Sequence, residues 1–263
     1  MNFETIIFQK VGAIAKIKLN RPKEFNSINF KMISEMVRVL EHCSGDEEIK
    51  TVILTGEGKA FCSGGDIRLF TEYFESDPSE PFRQIIKQVN VAIILLRRMP
   101  KPVIASINGA TGGGGIGLAA ACDLRICASS AKFKTGYRTI GLVGDAGYTL
   151  MIPLLVGFGR ATELLLLDTL IDAKQALDWG LVNHVVEDTE LEQFTNNTAL
   201  RLAEGPTRAF AIAKDNLNHA MIGLLERQLE LERVGMTNAA KTSDYIEGVK
   251  AFLEKRKPTF TGH

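Results

Sequence analysis

Residues 108–123 read N-G-A-T-G-G-G-G-I-G-L-A-A-A-C-D: four consecutive glycines, Gly112 to Gly115, run straight into a small apolar segment, Leu118 to Cys122. Glycine has no Cβ, so a run of it lets backbone approach a ligand or another backbone closely. A short helix beginning there presents free N–H groups in its first turn, and such a terminus favours an anion or an oxygen that becomes anionic during a reaction. The same residues also suit a glycine-rich turn packed tightly in the core. Two further features favour a site: a second glycine loop upstream, Ser63-Gly64-Gly65-Asp66, and an acid downstream. Each glycine loop follows a buried apolar strand, over 51–55 and 103–107. If those strands are neighbours, the loops lie together at one end of the core, where α/β folds build sites. One N–H from each could then grip a single carbonyl oxygen.

Other glycine-rich chemistries fit less well. Gly113 to Gly117 does not sit in the first strand–helix unit, and no acid follows about 20 residues on to hold a ribose, as dinucleotide binding requires. No G-K-[ST] is present, which excludes a phosphate loop of that kind. The 31 basic and 31 acidic side chains cancel, which argues against a dedicated nucleic-acid binder. Cys43, Cys62, Cys122 and Cys127 form no C-x-x-C pair and no zinc spacing, so no metal site is expected and the thiols should be buried and free. That state suits a reducing cytoplasm. The first residues lack a basic region followed by an apolar one, and the longest apolar runs are too short for a bilayer. The expectation is a soluble cytoplasmic protein with neither a membrane nor a nucleic-acid partner.

The rest of the chain alternates strands and helices. Residues 5–8 and 12–19 read as strands, the second with a weak period of two. Ser27 can cap a helix with Ile28, Met32, Ile33, Met36, Val37 and Leu40 on its apolar face. Residues 73–81 contain Asp77, Pro78, Ser79 and Pro81 and read as a mobile loop. A helix over 82–98 ends at Pro100 and Pro102. A strand follows over 123–128, then an irregular stretch over 133–143 and helices over 147–155 and 160–167. Asp172 caps a helix over 173–179, and 181–186 is the last strand. Helices fill the remainder. The pattern predicts an α/β fold, with a core over 1–190 that carries the site and a helical region over 191–263. At 263 residues such a chain buries roughly 70–75% of its unfolded surface and needs no covalent staples.

Taken together, Arg21-Pro22, Asn26-Ser27, Ala60-Phe61-Cys62-Ser63-Gly64-Gly65-Asp66-Ile67, Lys101-Pro102-Val103-Ile104-Ala105, Asn108-Gly109, Gly113-Gly114-Gly115, Cys122-Asp123, Gly180-Leu181-Val182 and Phe252-Leu253-Glu254-Lys255-Arg256 resemble the enoyl-CoA hydratase/isomerase (crotonase) superfamily, in family order and over nearly the whole chain. The resemblance implies a crotonase-like spiral of β-β-α units, a helical C-terminal trimerisation region, and a homotrimer or dimer of trimers. It implies acyl-CoA thioesters as substrates, with coenzyme A entering as part of the substrate and no separate cofactor. By the same resemblance, the N–H groups of Gly65 and Gly114 would hold the thioester oxygen. Lys23, Phe25, Ser63, Asp66, Ile67, Arg68, Phe252 and Lys255 would contact the coenzyme A portion, the last two usually from a neighbouring subunit. As a plain surface feature, each basic residue among these is a solvated charge, and Asp66 is a residue that holds its own loop.

The departures from the family pattern point to the chemistry. Hydratases of this family resemble one another in two glutamates; here Gly117 and Tyr137 stand in those places, so ordinary hydration is expected to be absent or very slow. Gly117 should widen the pocket. Tyr137 is either a pocket wall or a hydroxyl that orients the acid or a substrate oxygen. The acid is Asp145, in Gly141-Leu142-Val143-Gly144-Asp145-Ala146-Gly147. It can be read as the N-cap of the helix that follows. Single-acid enoyl-CoA isomerases of the family carry their acid at what looks like the matching place. Dehalogenases carry a nucleophile there, together with a histidine on the second long helix, but His42, His184, His219 and His263 all lie outside 82–98. A double-bond shift needs a proton removed at one carbon and returned two carbons away, which one carboxylate with a raised pKa can do. Isomerisation is therefore the expected activity, with hydration, hydrolysis or decarboxylation of an unusual acyl-CoA, or silent binding, as alternatives.

Overall fold

The computed structural model describes residues 2–263. Strands β1 (Ile6–Val11) and β2 (Ile14–Leu19) form a hairpin, and α1 (Phe30–Gly45) packs beneath it. The N-cap of α1 is Asn29, whose side chain accepts the Met32 N–H at 2.9 Å. Ser27, the expected cap, instead offers its carbonyl and hydroxyl to Arg21. The chain then spirals. Each turn adds one strand to a large sheet and one short strand to a small sheet. β3 (Thr51–Gly56) and β4 (Ala60–Cys62) make the first such pair, followed by α2 (Ile67–Thr71) and α3 (Glu80–Arg98). β5 (Val103–Ile107) and β6 (Ala110–Gly112) make the second, followed by α4 (Gly114–Ala121). β7 (Leu124–Ala128) and β8 (Lys132–Lys134) make the third, followed by α5 (Tyr148–Val156) and α6 (Phe158–Leu167). β9 (Ile171–Asp172), α7 (Ala173–Asp178) and β10 (His184–Val186) close the spiral, and helices α8 (Leu191–Ala203), α9 (Thr207–His219), α10 (Ile222–Ala239) and α11 (Ser243–Leu253) complete the chain.

Among the described residues the large sheet has the order β1-β2-β3-β5-β7-β10, parallel except for the opening hairpin, and the small sheet has the order β4-β6-β8-β9. β3 and β5 are buried along their whole length. Parallel strands covered on both faces read as continuous apolar runs for that reason. The small strands are only two or three residues long. They carry no readable period, so the sequence shows the first as a strand-to-loop transition and 133–143 as irregular.

Polar side chains hold this spiral together. Asn26 and Asn108 both donate to the Ala60 carbonyl and clamp the turn between β3 and β4. Asp123 accepts the Val103 N–H at 2.8 Å and Lys214 Nζ at 2.7 Å, tying β5 to α9. The stretch over 73–81, expected to be a mobile loop, is a set of hydrogen-bonded turns. Its Asp77 carboxylate accepts the N–H and hydroxyl of Ser79 and pairs with Arg83. Pro81 sits in the first turn of α3, where a missing N–H costs nothing.

Candidate active site

β4 and β6 are adjacent parallel strands, with Cys62 opposite Thr111. Their following loops therefore emerge side by side. The contact is close: a Cβ on Gly64 would lie 3.1 Å from the Gly112 carbonyl and 3.3 Å from the Gly114 nitrogen. Gly64 and Gly113 both have positive φ, at 93° and 47°, so glycine is needed at both for conformation, and at Gly64 for space as well. The Ile28–Gly65 bridge uses the carbonyl of Gly64 and the N–H of Asp66, leaving the Gly65 N–H aside. Gly114 is the first residue of α4, and its N–H has no intrahelical partner. Among the described residues neither amide finds an acceptor.

Asp145 lies next to this pair. One of its oxygens, Oδ1, would be 3.3 Å from a Cβ built on Gly114. The Tyr137 hydroxyl donates to Oδ1 at 2.6 Å and accepts the Asp145 N–H at 3.3 Å. Tyr137 is therefore an orienting group as well as a wall. It is 5% exposed, and its ring stands edge-on to Tyr148. Burial pushes the Asp145 carboxyl up to about 6, against the pull of the Tyr137 hydrogen bond and its own N–H. Burial and the adjacent Asp145 charge hold the Tyr137 phenol well above its ordinary value, so it stays protonated and can donate. Oδ2 has no hydrogen-bond partner among the described residues, yet it is not sealed within protein. It is the oxygen left open to the cavity.

Asp145 is not the N-cap of α5. That position belongs to Gly147, and no side chain of the cap residue satisfies the helix. Gly117 does not widen the pocket either. A Cβ there would come within 2.4 Å of the Ala146 carbonyl oxygen and 2.6 Å of Ala146 Cβ. The space a side chain would occupy is filled by the loop that carries Asp145, and Gly117 is absent from the cavity wall.

The cavity itself has a volume of about 290 Å³. Ser63, Gly65, Gly114, Tyr137 and Asp145 mark its polar side. Phe82, Ile85, Ile86 and Val89 of α3, with Leu142 and Met236, form the apolar side. Asp145 is the one carboxylate on its wall among the described residues.

A family model described as enoyl-CoA hydratase/isomerase matches residues 9–263. The chain belongs to this family. It is 36% identical over 263 residues to a 1,2-epoxyphenylacetyl-CoA isomerase of Escherichia coli, covering 98% of this chain and 99% of that protein. It is 37% identical over 268 residues to a probable enoyl-CoA hydratase of Rhodobacter capsulatus, covering both chains completely. The crystal structure of an enoyl-CoA hydratase from Mycobacterium avium subsp. paratuberculosis superimposes with a TM-score of 0.90 at 30% identity, over 99% of this chain and 100% of that one. Relatives thus include both isomerases and hydratases. The fold is that of the crotonase enzymes.

Residues expected at the coenzyme A end divide into two groups. Ser63, Ile67 and Phe252 line the cavity, and Phe252 does so from its own chain. Phe25 is exposed beside it, its carbonyl accepting the Ser63 N–H at 3.1 Å. Lys23, Arg68 and Lys255 are exposed and lie off the cavity wall. Asp66 pairs with Arg21 at 2.7 Å and caps α2, so it holds its loop and does not face the cavity. The α3 wall, Met236 and the buried Glu232 went unread as site residues. Glu232 did leave a signal: it falls in helical step with Leu225, Leu229 and Met236, an acid on an apolar face. All four cysteines are buried and free. Burial pushes the Cys62 thiol up to about 12, which removes it as a nucleophile. No described helix is long and apolar enough to cross a membrane.

Proposed function

We propose that this family member shifts a carbon–carbon double bond in an enoyl-CoA, with Asp145 as the only proton carrier. The observation that carries the reading is a single, partly sheltered carboxylate facing the apolar α3 side of the cavity, beside two amides that lack acceptors. In a 3-enoyl-CoA, Oδ2 removes a proton from C2. The electron pair moves onto the thioester oxygen, which the N–H groups of Gly65 and Gly114 hold as an oxyanion. The enolate then collapses while Asp145 returns the proton at C4, and the double bond ends between C2 and C3. Atoms and charge balance with no water consumed. Losing one such oxyanion donor typically costs about 2.7–4 kcal/mol. A hydratase needs a second group to activate water, and the cavity wall supplies no second carboxylate.

The test is incubation with 3-hexenoyl-CoA in heavy water. The expected product has an unchanged carbon skeleton, no added water and exchange at the reacting carbons. A product gaining one water would mark hydration, and free coenzyme A would mark hydrolysis. Either would overturn the reading. The base must be ionised to act, so kcat/KM should rise with pH through about 6, where burial places Asp145, and level off above it.

Tyr137→Phe separates orientation from basicity. The phenol's hydrogen bond holds the Asp145 pKa down. Its loss should therefore move the acid limb of the kcat/KM profile to higher pH. A hydrogen bond to a charged group is worth about 1.5–3 kcal/mol, so kcat should fall on the order of tenfold or more. An unmoved acid limb would show that Tyr137 serves only as wall.

A further inference from the structure

Glu232 is 4% exposed on the inner face of α10. A buried carboxylate needs hydrogen-bonding partners. Those it has are all on the chain that leaves Asp145. Its Oε2 accepts the Gly147 N–H at 2.8 Å. Its Oε1 accepts the Thr149 N–H at 2.7 Å and the Thr149 hydroxyl at 2.6 Å. Gln228, one turn earlier on α10, donates to Thr149 Oγ1 at 2.8 Å. The hydrogen-bond partners of Glu232 among the described residues include no cation. Gly147 is the N-cap of α5 and Thr149 its second residue. Their amides are among those that a helix's own capping residues ordinarily satisfy. Here a carboxylate from a distant helix does so, and the nearby acid, Asp145, is spared that task. The turn between them runs through two left-handed residues, Ala146 at φ 56° and Gly147 at φ 77°. A non-glycine residue in that conformation persists where its surroundings hold it.

We propose that Glu232 is a positioning residue for proton transfer: it caps α5 in place of Asp145, holds the Ala146–Gly147 turn, and thereby sets where Asp145 Oδ2 stands in the cavity. The proposal rests on Asp145 acting as the base. It also has an electrostatic consequence. The Asp145 charge acts on Glu232, and the Glu232 charge acts on the Tyr137 phenol. Burial pushes Glu232 itself up to about 7 despite its three donors, and the Asp145 charge adds to the shift. Asp145, at about 6, therefore loses its proton before Glu232 does, and Glu232 is largely neutral while Asp145 titrates.

The experiment uses the full chain carrying Glu232→Gln, with kcat, KM and the pH profile measured on 3-hexenoyl-CoA beside circular dichroism and thermal unfolding. Glutamine keeps the shape but sets an NH2 against donors and removes the charge. The expected result is a folded protein with KM near wild type and kcat lower on the order of tenfold or more, since displacements of about 1 Å can cost 10²-fold. The acid limb should stay near pH 6, because Glu232 is already mostly protonated where Asp145 titrates. A residue that only stabilises the fold would lower the unfolding temperature and leave kcat of the folded protein at the wild-type value. Thr149→Ala removes one donor without touching the carboxylate and should give a smaller fall in kcat at unchanged KM. Wild-type kcat in folded Glu232→Gln overturns the proposal. If that variant does not fold, wild-type kcat in Thr149→Ala overturns it instead. Asp145→Asn, assayed in parallel, tells the two readings apart. Full activity there removes the base assignment and this proposal with it. Inactivity there with a normal Glu232→Gln removes this proposal alone.

Discussion

Asp145→Asn should lower kcat by about 10²–10⁴-fold, the usual contribution of a positioned general base, while leaving substrate affinity and folding close to wild type. Asparagine is nearly isosteric. Its amide oxygen can still accept the Tyr137 hydroxyl that now reaches Oδ1 at 2.6 Å, so the loop keeps its inner anchor. What disappears is the basic oxygen facing the cavity. At 1.36 kcal/mol per tenfold, the loss corresponds to roughly 3–5 kcal/mol of transition-state stabilisation. The acid limb near pH 6 should vanish with it, because the group that titrates there is gone. Deuterium exchange at C2 from heavy water should stop as well, since enolate formation itself needs the base. The measurement is steady-state turnover of 3-hexenoyl-CoA with exchange followed by mass spectrometry. A variant that still exchanges C2 at the wild-type rate would sink the assignment.

Gly117→Ala should damage both stability and turnover, although the residue touches no cavity. Its added methyl would stand 2.4 Å from the Ala146 carbonyl oxygen, well inside van der Waals contact. Helix α4 is buried along its whole length and has nowhere to retreat, so the loop must give. That loop carries Asp145 and holds a left-handed alanine at 146. Overpacking a buried position costs about 1–3 kcal/mol. Displacing a reacting group by about 1 Å can cost 10²-fold in rate. The expectation is a lowered unfolding midpoint together with a fall in kcat on the order of 10²-fold. Gly117→Glu meets the same clash. Placing an acid where hydratases of the family resemble one another should therefore not confer hydration, and no product carrying an added water should form. Wild-type turnover in Gly117→Ala would show that the loop can relax without moving Asp145.

How much of this was legible in the residues differs from element to element. The strands over 51–56 and 103–107 are long, apolar runs, and their burial between layers makes them plain. The helix over 80–98 shows its face through Phe82, Ile85, Val89 and Ile93, yet nothing in that periodicity says that its N-terminal half lines a cavity. The small-sheet strands, two or three residues each, are too short for a period of two to show. Ser27 offers capping chemistry as good as that of Asn29 two residues earlier, so local sequence does not separate them; Arg21, donating to Ser27, decides between them.

At the site, the residues in their order supply the chemical inventory: two glycine loops after strands, no glutamate at position 117 or 137, and one acid in an apolar stretch. These follow from residue identity and order, and with them came the family and its fold. The tertiary structure decided what each position does. Gly117 is a contact surface for the Ala146 turn because two segments far apart in sequence press together there. Tyr137 orients Asp145 because β8 and the start of α5 bring a hydroxyl within 2.6 Å of a carboxylate. Asp145 is free of helix capping because Glu232, 87 positions later, caps α5 instead. Periodicity and local propensity act over a few residues. Whether a carboxylate caps a helix or faces a cavity depends on which donors a folded chain places beside it.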